Sequence, residues 1–207
     1  MNRSDLLFDG PENARLTVVL AHGAGAPMDS PFMTRVARGV AAEGFRVARF
    51  EFPYMRARRR GGKRGAPDRE PVLRQSWLEA IGLAGGGGSV VIGGKSLGGR
   101  IASMVADEAS VRGVVCLGYP FHPPGQPKRL RTSHLETLTT RALIVQGTRD
   151  PFGTRQDVAQ YRLSPSISIH WLEDGDHSWK PRASSGRTEE QNLLEGIEAV
   201  WRFLKTV

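Results

Sequence analysis

The sequence predicts an α/β chain: a doubly wound, mostly parallel sheet of about seven strands with helices on both faces. Two observations carry this. Short β-branched apolar runs recur along the 207 residues with helical segments between them. Several of these runs are continuously apolar, as strands covered on both faces must be. In chain order the strands are expected at Leu6–Phe8, Leu16–Ala21, Phe45–Phe50, Ser89–Ile92, Gly113–Leu117, Ala142–Gln146 and Ile167–Leu172.

The helices have their own signals. Asp29-Ser30-Pro31 is a cap followed by proline at the first helical position, opening a helix to about Glu43. Pro71-Val72-Leu73 opens a second helix, ending before the glycine run 85–88. A third follows Ser96 to about Ala109, and Asp157–Tyr161 is a short fourth. In the last, Leu193, Leu194, Ile197, Val200, Trp201 and Leu204 share one helical face, while Glu189, Glu190, Glu195 and Glu198 face water. Right-handed crossovers then place every parallel strand's C-terminus on one edge, where ligands bind. Residues 1–207 read as one domain, with no internal repeat and no linker.

Composition limits the function classes. Hydrophobic residues are 39% and charged residues 24%, enough for a packed core. A single cysteine, Cys116, excludes an intramolecular disulfide. With no apolar leader and no run of membrane-spanning length, the expectation is a reduced, cytoplasmic setting without membrane partners. The net charge is +8. Between Arg56 and Arg69, seven cations face only Asp68, so this segment alone carries +6. Residues 56–70 therefore read as a basic Gly/Arg-rich surface loop. A nucleic-acid partner is disfavoured, because no stacking aromatics, zinc-finger spacing or RNP-like motif accompanies the charge.

The stretch Ser89–Arg100 reads as strand, glycine turn and helix, and Gly94-Lys95-Ser96-Leu97-Gly98 matches G-x-S-x-G. Such a turn holds serine in a strained backbone region and points the free N–H groups of the next helix at its oxygen. Gly-Lys-Ser also raises a phosphate-binding loop. That motif needs glycine where Ser89 stands, and it would turn the strand Val90-Val91-Ile92 into a loop.

Serine needs a base and the base needs a carboxylate. Asp150 follows one strand end and His177 follows the next, in the order Ser-Asp-His. His170 sits within a strand and His134 in a polar loop, while Asp174 and Asp176 lie too near His177 and read as turn formers. The turn His22-Gly23-Ala24-Gly25-Ala26-Pro27 after the first central strand supplies an oxyanion hole. Its expected donors are the amides of Ala24 and Leu97, with Gly25 as the alternative to Ala24 and His22 as a turn stabiliser.

These motifs, with Phe52-Pro53-Tyr54-Met55, Gly118–Gly125, Gln146–Gly153 and Gly175-Asp176-His177, resemble the α/β-hydrolase superfamily. More narrowly the chain is similar to small, cap-less predicted hydrolases related to dienelactone hydrolases and to the testis-expressed and KANL-type hydrolase-like proteins. The resemblance implies a doubly wound sheet without a cap and supports Ser96, Asp150 and His177 as the triad. It implies no defined substrate, and some relatives serve as scaffolds. Dienelactone hydrolases use a cysteine nucleophile where this chain has Ser96, so that activity is not carried over.

The resulting expectation is a serine hydrolase of small carboxylic esters or related acyl bonds, working without metal or organic cofactor. The site should be shallow, walled by Gly25, Tyr54, Met55, Tyr119, Phe121 and His122, with the basic loop over its rim favouring an anionic acyl substrate. The rival reading is a catalytically silent module that uses the basic loop for a partner.

Overall fold

A computed structural model describes residues 1–62 and 65–207. Its seven-stranded sheet has the order β1-β3-β2-β4-β5-β6-β7. The strands are β1 (Leu7–Asp9), β2 (Thr17–Ala21), β3 (Arg46–Phe50), β4 (Val90–Lys95), β5 (Gly113–Leu117), β6 (Ala142–Gly147) and β7 (Ile167–Leu172). Only β1 runs antiparallel, on the β3 edge. The helices are α1 (Pro31–Ala42), α2 (Pro53–Arg59), α3 (Glu70–Leu83), α4 (Leu97–Val105), α5 (Arg155–Val158) and α6 (Glu189–Leu204).

Each sheet face has its own core. Trp77 and Ile81 of α3 and Ile101 and Val105 of α4 cover one face; Met33 and Val36 of α1 and Ile197 and Val200 of α6 cover the other. The alternation of β4 shows why its run is continuously apolar: Val90 and Ile92 enter the first core and Val91 the second. Cys116 is buried in the first core, where desolvation pushes its thiol up to about 12.

Strand order reverses between β2 and β4, which creates a crevice beyond the carboxyl ends of these strands. The expected strands are all present, Gly113–Leu117 and Ile167–Leu172 with both ends as expected and no end moved by more than three residues. The largest change is in β4, which continues through Gly93 and Gly94 to Lys95. These glycines are extended strand pressed against neighbours: a Cβ on Gly93 would stand 2.0 Å from the Val115 carbonyl oxygen. Val90-Val91-Ile92 is therefore buried strand, which removes the phosphate-loop reading. In α6, Leu194 points outward, 55% exposed, against the expected face.

The basic segment is not one loop. Arg56 to Arg59 form the end of α2, a helix absent from the sequence reading, with Pro53 in its first turn and basic side chains in its last. Its charges are partly spent inside the molecule. Arg59 pairs with buried Glu51 (2.6 Å) and with Asp29 (2.8 Å), and Arg56 pairs with Asp5 (3.3 Å). Lys63 and Arg64 lie outside the described residues. Among the described residues no helix is long and apolar enough to cross a membrane.

Candidate active site

Ser96 stands between β4 and α4 with φ 49° and ψ −109°, a conformation that L residues rarely adopt. The flanking glycines make the turn possible. A Cβ on Gly94 would lie 2.1 Å from the Ala21 carbonyl oxygen, and one on Gly98 would lie 2.4 Å from the same atom. One oxygen of β2 thus requires glycine on both sides of the serine. Leu97 begins α4 directly after Ser96, so its amide belongs to the first turn, where N–H groups have no partner within the helix.

Three side chains from the ends of three strands form one hydrogen-bonded chain. His177 Nε2 lies 2.9 Å from Ser96 Oγ, and His177 Nδ1 lies 2.7 Å from Asp150 Oδ2. Asp150 is fully buried, with Oδ1 accepting the Phe152 amide (2.9 Å). Gln146 holds the carboxylate from behind. Its Nε2 donates to Asp150 Oδ2 (2.9 Å), and its Oε1 accepts the Tyr119 amide (2.7 Å). Phe152 stacks obliquely on the imidazole, with centroids 4.2 Å apart. Burial is the largest influence on His177 and lowers its pKa below the usual value; the hydrogen bond to Asp150 raises it and the charge of Lys95 lowers it.

The turn after β2 lies against this chain, with the position of a Gly23 Cβ 3.8 Å from Ser96 Cβ. His22 fixes the turn. Its Nε2 accepts the Phe52 amide (3.2 Å), so Nδ1–H donates to the Gly23 carbonyl (2.6 Å); burial lowers the ring's pKa below the usual value. Tyr54 donates to the Ala24 carbonyl (3.1 Å), and Arg58 approaches the Gly25 carbonyl (3.4 Å). Glu51 also accepts the Met28 amide (3.3 Å), so the Arg59–Glu51–Asp29 cluster secures the far end of this turn.

A cavity of about 550 Å³ opens over Ser96 and His177. Its walls include Ala24, Gly25, Phe32, Met33, Lys95 and Phe152. Most of the expected walls lie elsewhere. Tyr54 supports the turn through its hydroxyl, and Met55 is the buried residue of α2. Tyr119 and Phe121 are fully buried in the core, with Tyr119 donating to the Arg131 carbonyl (2.9 Å). His122 is buried, with Nδ1 2.8 Å from the Pro123 carbonyl. The chain after β5 turns back into the sheet face instead of rising over the site. Phe32 and Phe152 were missed, although their places were inferable: α1 starts on the same rim, and Phe152 follows Asp150 by two residues. The dismissed groups are structural. His170 lies 3.1 Å from Glu195, and Asp174 pairs with Arg182 and with Arg149 (2.9 Å); the Arg182 hydrogen bonds chiefly, and the Arg149 charge, hold its carboxyl at about 2. Among the described residues no cluster of His, Cys, Asp or Glu could hold a metal ion.

A family model described as an alpha/beta hydrolase domain matches residues 14–205. The chain belongs to this family. Solved structures with the same α/β-hydrolase fold include an alpha-beta serine hydrolase homologue from Coxiella burnetii, 18% identical with a TM-score of 0.72, covering 99% of this chain and 94% of that one. An α/β serine hydrolase without lid from Xanthomonas campestris is 16% identical with a TM-score of 0.63, covering 94% and 88%. Dienelactone hydrolase from Anabaena variabilis is 19% identical with a TM-score of 0.68, covering 93% and 88%. This α/β-hydrolase likewise has no cap: the connection from β5 to β6 holds only a short 3-10 turn, Ser133–Glu136.

Proposed function

We propose that this α/β-hydrolase is a serine esterase that cleaves small carboxylic esters through an acyl-enzyme. The observation that carries the reading is the unbroken chain Ser96–His177–Asp150 opening into a cavity. His177 Nε2 accepts the Ser96 proton as Oγ attacks the carbonyl carbon. The amides of Ala24 and Leu97 receive the developing oxyanion. Asp150 keeps Nδ1 protonated and stabilises the imidazolium, which then protonates the leaving alcohol. Water, deprotonated by the same imidazole, releases the acid. Small acyl groups fit the open, mainly apolar cavity between Phe32 and Phe152, and Arg58 beside Gly25 favours substrates carrying a negative charge.

The reading is tested with a fluorophosphonate probe and p-nitrophenyl acetate. Wild type should be labelled and should turn over, and Ser96→Ala should do neither. Equal labelling of both proteins would remove Ser96 from the nucleophile's role.

A further inference from the structure

Lys95 is the one residue of the glycine turn that the reaction above does not use. It ends β4 beside Ser96 and lines the same cavity. Its stem passes Gly23, where a Cβ would stand 3.4 Å from Lys95 Cγ. Its ammonium reaches the loop after β7 and donates to the His177 carbonyl (2.5 Å). Gly118 leaves room for this: a Cβ there would lie 2.8 Å from Lys95 Nζ, 2.9 Å from the His177 carbonyl oxygen and 3.4 Å from His177 Nδ1. One side chain thus runs past the turns after β2 and β5 to grip the histidine loop. Among the described residues no carboxylate comes within ion-pair distance of it.

We propose that Lys95 is a positioning residue for the esterase reaction: its ammonium ties the His177 backbone to the nucleophile strand, and its positive charge adds to burial in disfavouring imidazolium. The proposal rests on the hydrolase reading above. The charged groups acting on the imidazole are Asp150 after β6, Lys95 at the end of β4 and Asp176 on its own loop; Glu189, which starts α6, lines the same cavity. The two aspartates favour imidazolium, while Lys95 and burial oppose it, and opposition prevails. Burial lowers Lys95 itself to about 8, so most of it carries its proton at neutral pH.

The test compares Lys95→Gln, Lys95→Met and Lys95→Arg by kcat/KM for p-nitrophenyl acetate between about pH 5 and 9. Gln keeps an N–H for the carbonyl but loses the charge, Met loses both, and Arg keeps the charge. In Gln and Met the acid limb should move to higher pH, lowering the rate at about pH 6 relative to about pH 8 by roughly 3- to 10-fold; Arg should retain the wild-type limb. Superimposed limbs for Gln and wild type would overturn the role of the charge. NMR titration of His177 in the Ser96→Ala background reads the same shift without turnover. It separates the two ideas: an inactive wild type defeats the esterase reading, whereas an unmoved His177 titration in Lys95→Gln defeats this one.

Discussion

Among the described residues, two serine–histidine pairs stand at the same separation. Ser96 and His177 lie 2.9 Å apart, and so do Ser103 and His134. Burial lowers the pKa of both imidazoles, His134 to about 4. Their surroundings differ in three ways. Ser96 is held at positive φ over a cavity, whereas Ser103 lies inside α4 and donates to the Arg100 carbonyl (2.8 Å). That bond uses the hydroxyl proton of Ser103, so His134 must donate to Ser103 instead of accepting from it. Behind His177 stands Asp150, while the charges that act on His134 are Arg100 and Arg74. A short Ser–His distance therefore does not make a nucleophile. On the proposed reading, proton direction, a carboxylate behind the ring and open space before the hydroxyl set Ser96 apart.

The sharpest way to break this contrast is to delete each hydroxyl. Ser96→Ala should lower kcat by about 10⁵- to 10⁶-fold, while Ser103→Ala should stay within about twofold and lose about 1 kcal/mol of stability in urea melts. Removing the carboxylate's charge comes next: Asp150→Asn should cost about 10⁴-fold in kcat with little change in folding. Gln146→Leu should cost roughly tenfold in kcat, because Asp150 loses the donor that orients it. The smallest effect concerns His134. Its folded pKa lies below that of the unfolded chain, so the stability it permits is complete above about pH 6.5 and is lost as pH falls towards 4. His134→Gln should flatten the part of the melting-temperature decline that falls within that window.

The sequence was most informative where covalent geometry leaves few solutions. Strand–turn–helix with glycine at 94 and 98 allows little but a tight turn presenting Ser96, and the carbonyl of Ala21 supplies the reason. Asp150 and His177 were legible because successive parallel strands must end on one rim. The walls were not, since aromatic residues after a strand end can turn toward solvent or back into the core. Tyr119 and Phe121 turn inward because Gln146 captures the Tyr119 amide, a long-range contact with no local signature. Helix α2 was hidden for a different reason: its arginines resemble a solvated run until Glu51, Asp29 and Asp5 are brought beside them.

The topology also spreads the candidate site along the chain. The hydroxyl stands at the fourth strand's end, but the imidazole beside it follows the seventh, at the far margin of the sheet. Without β6 and β7 the Ser96 hydroxyl would have neither His177 nor Asp150 in reach. Under the proposed mechanism, the nucleophile therefore depends on the sheet's last strand for its base.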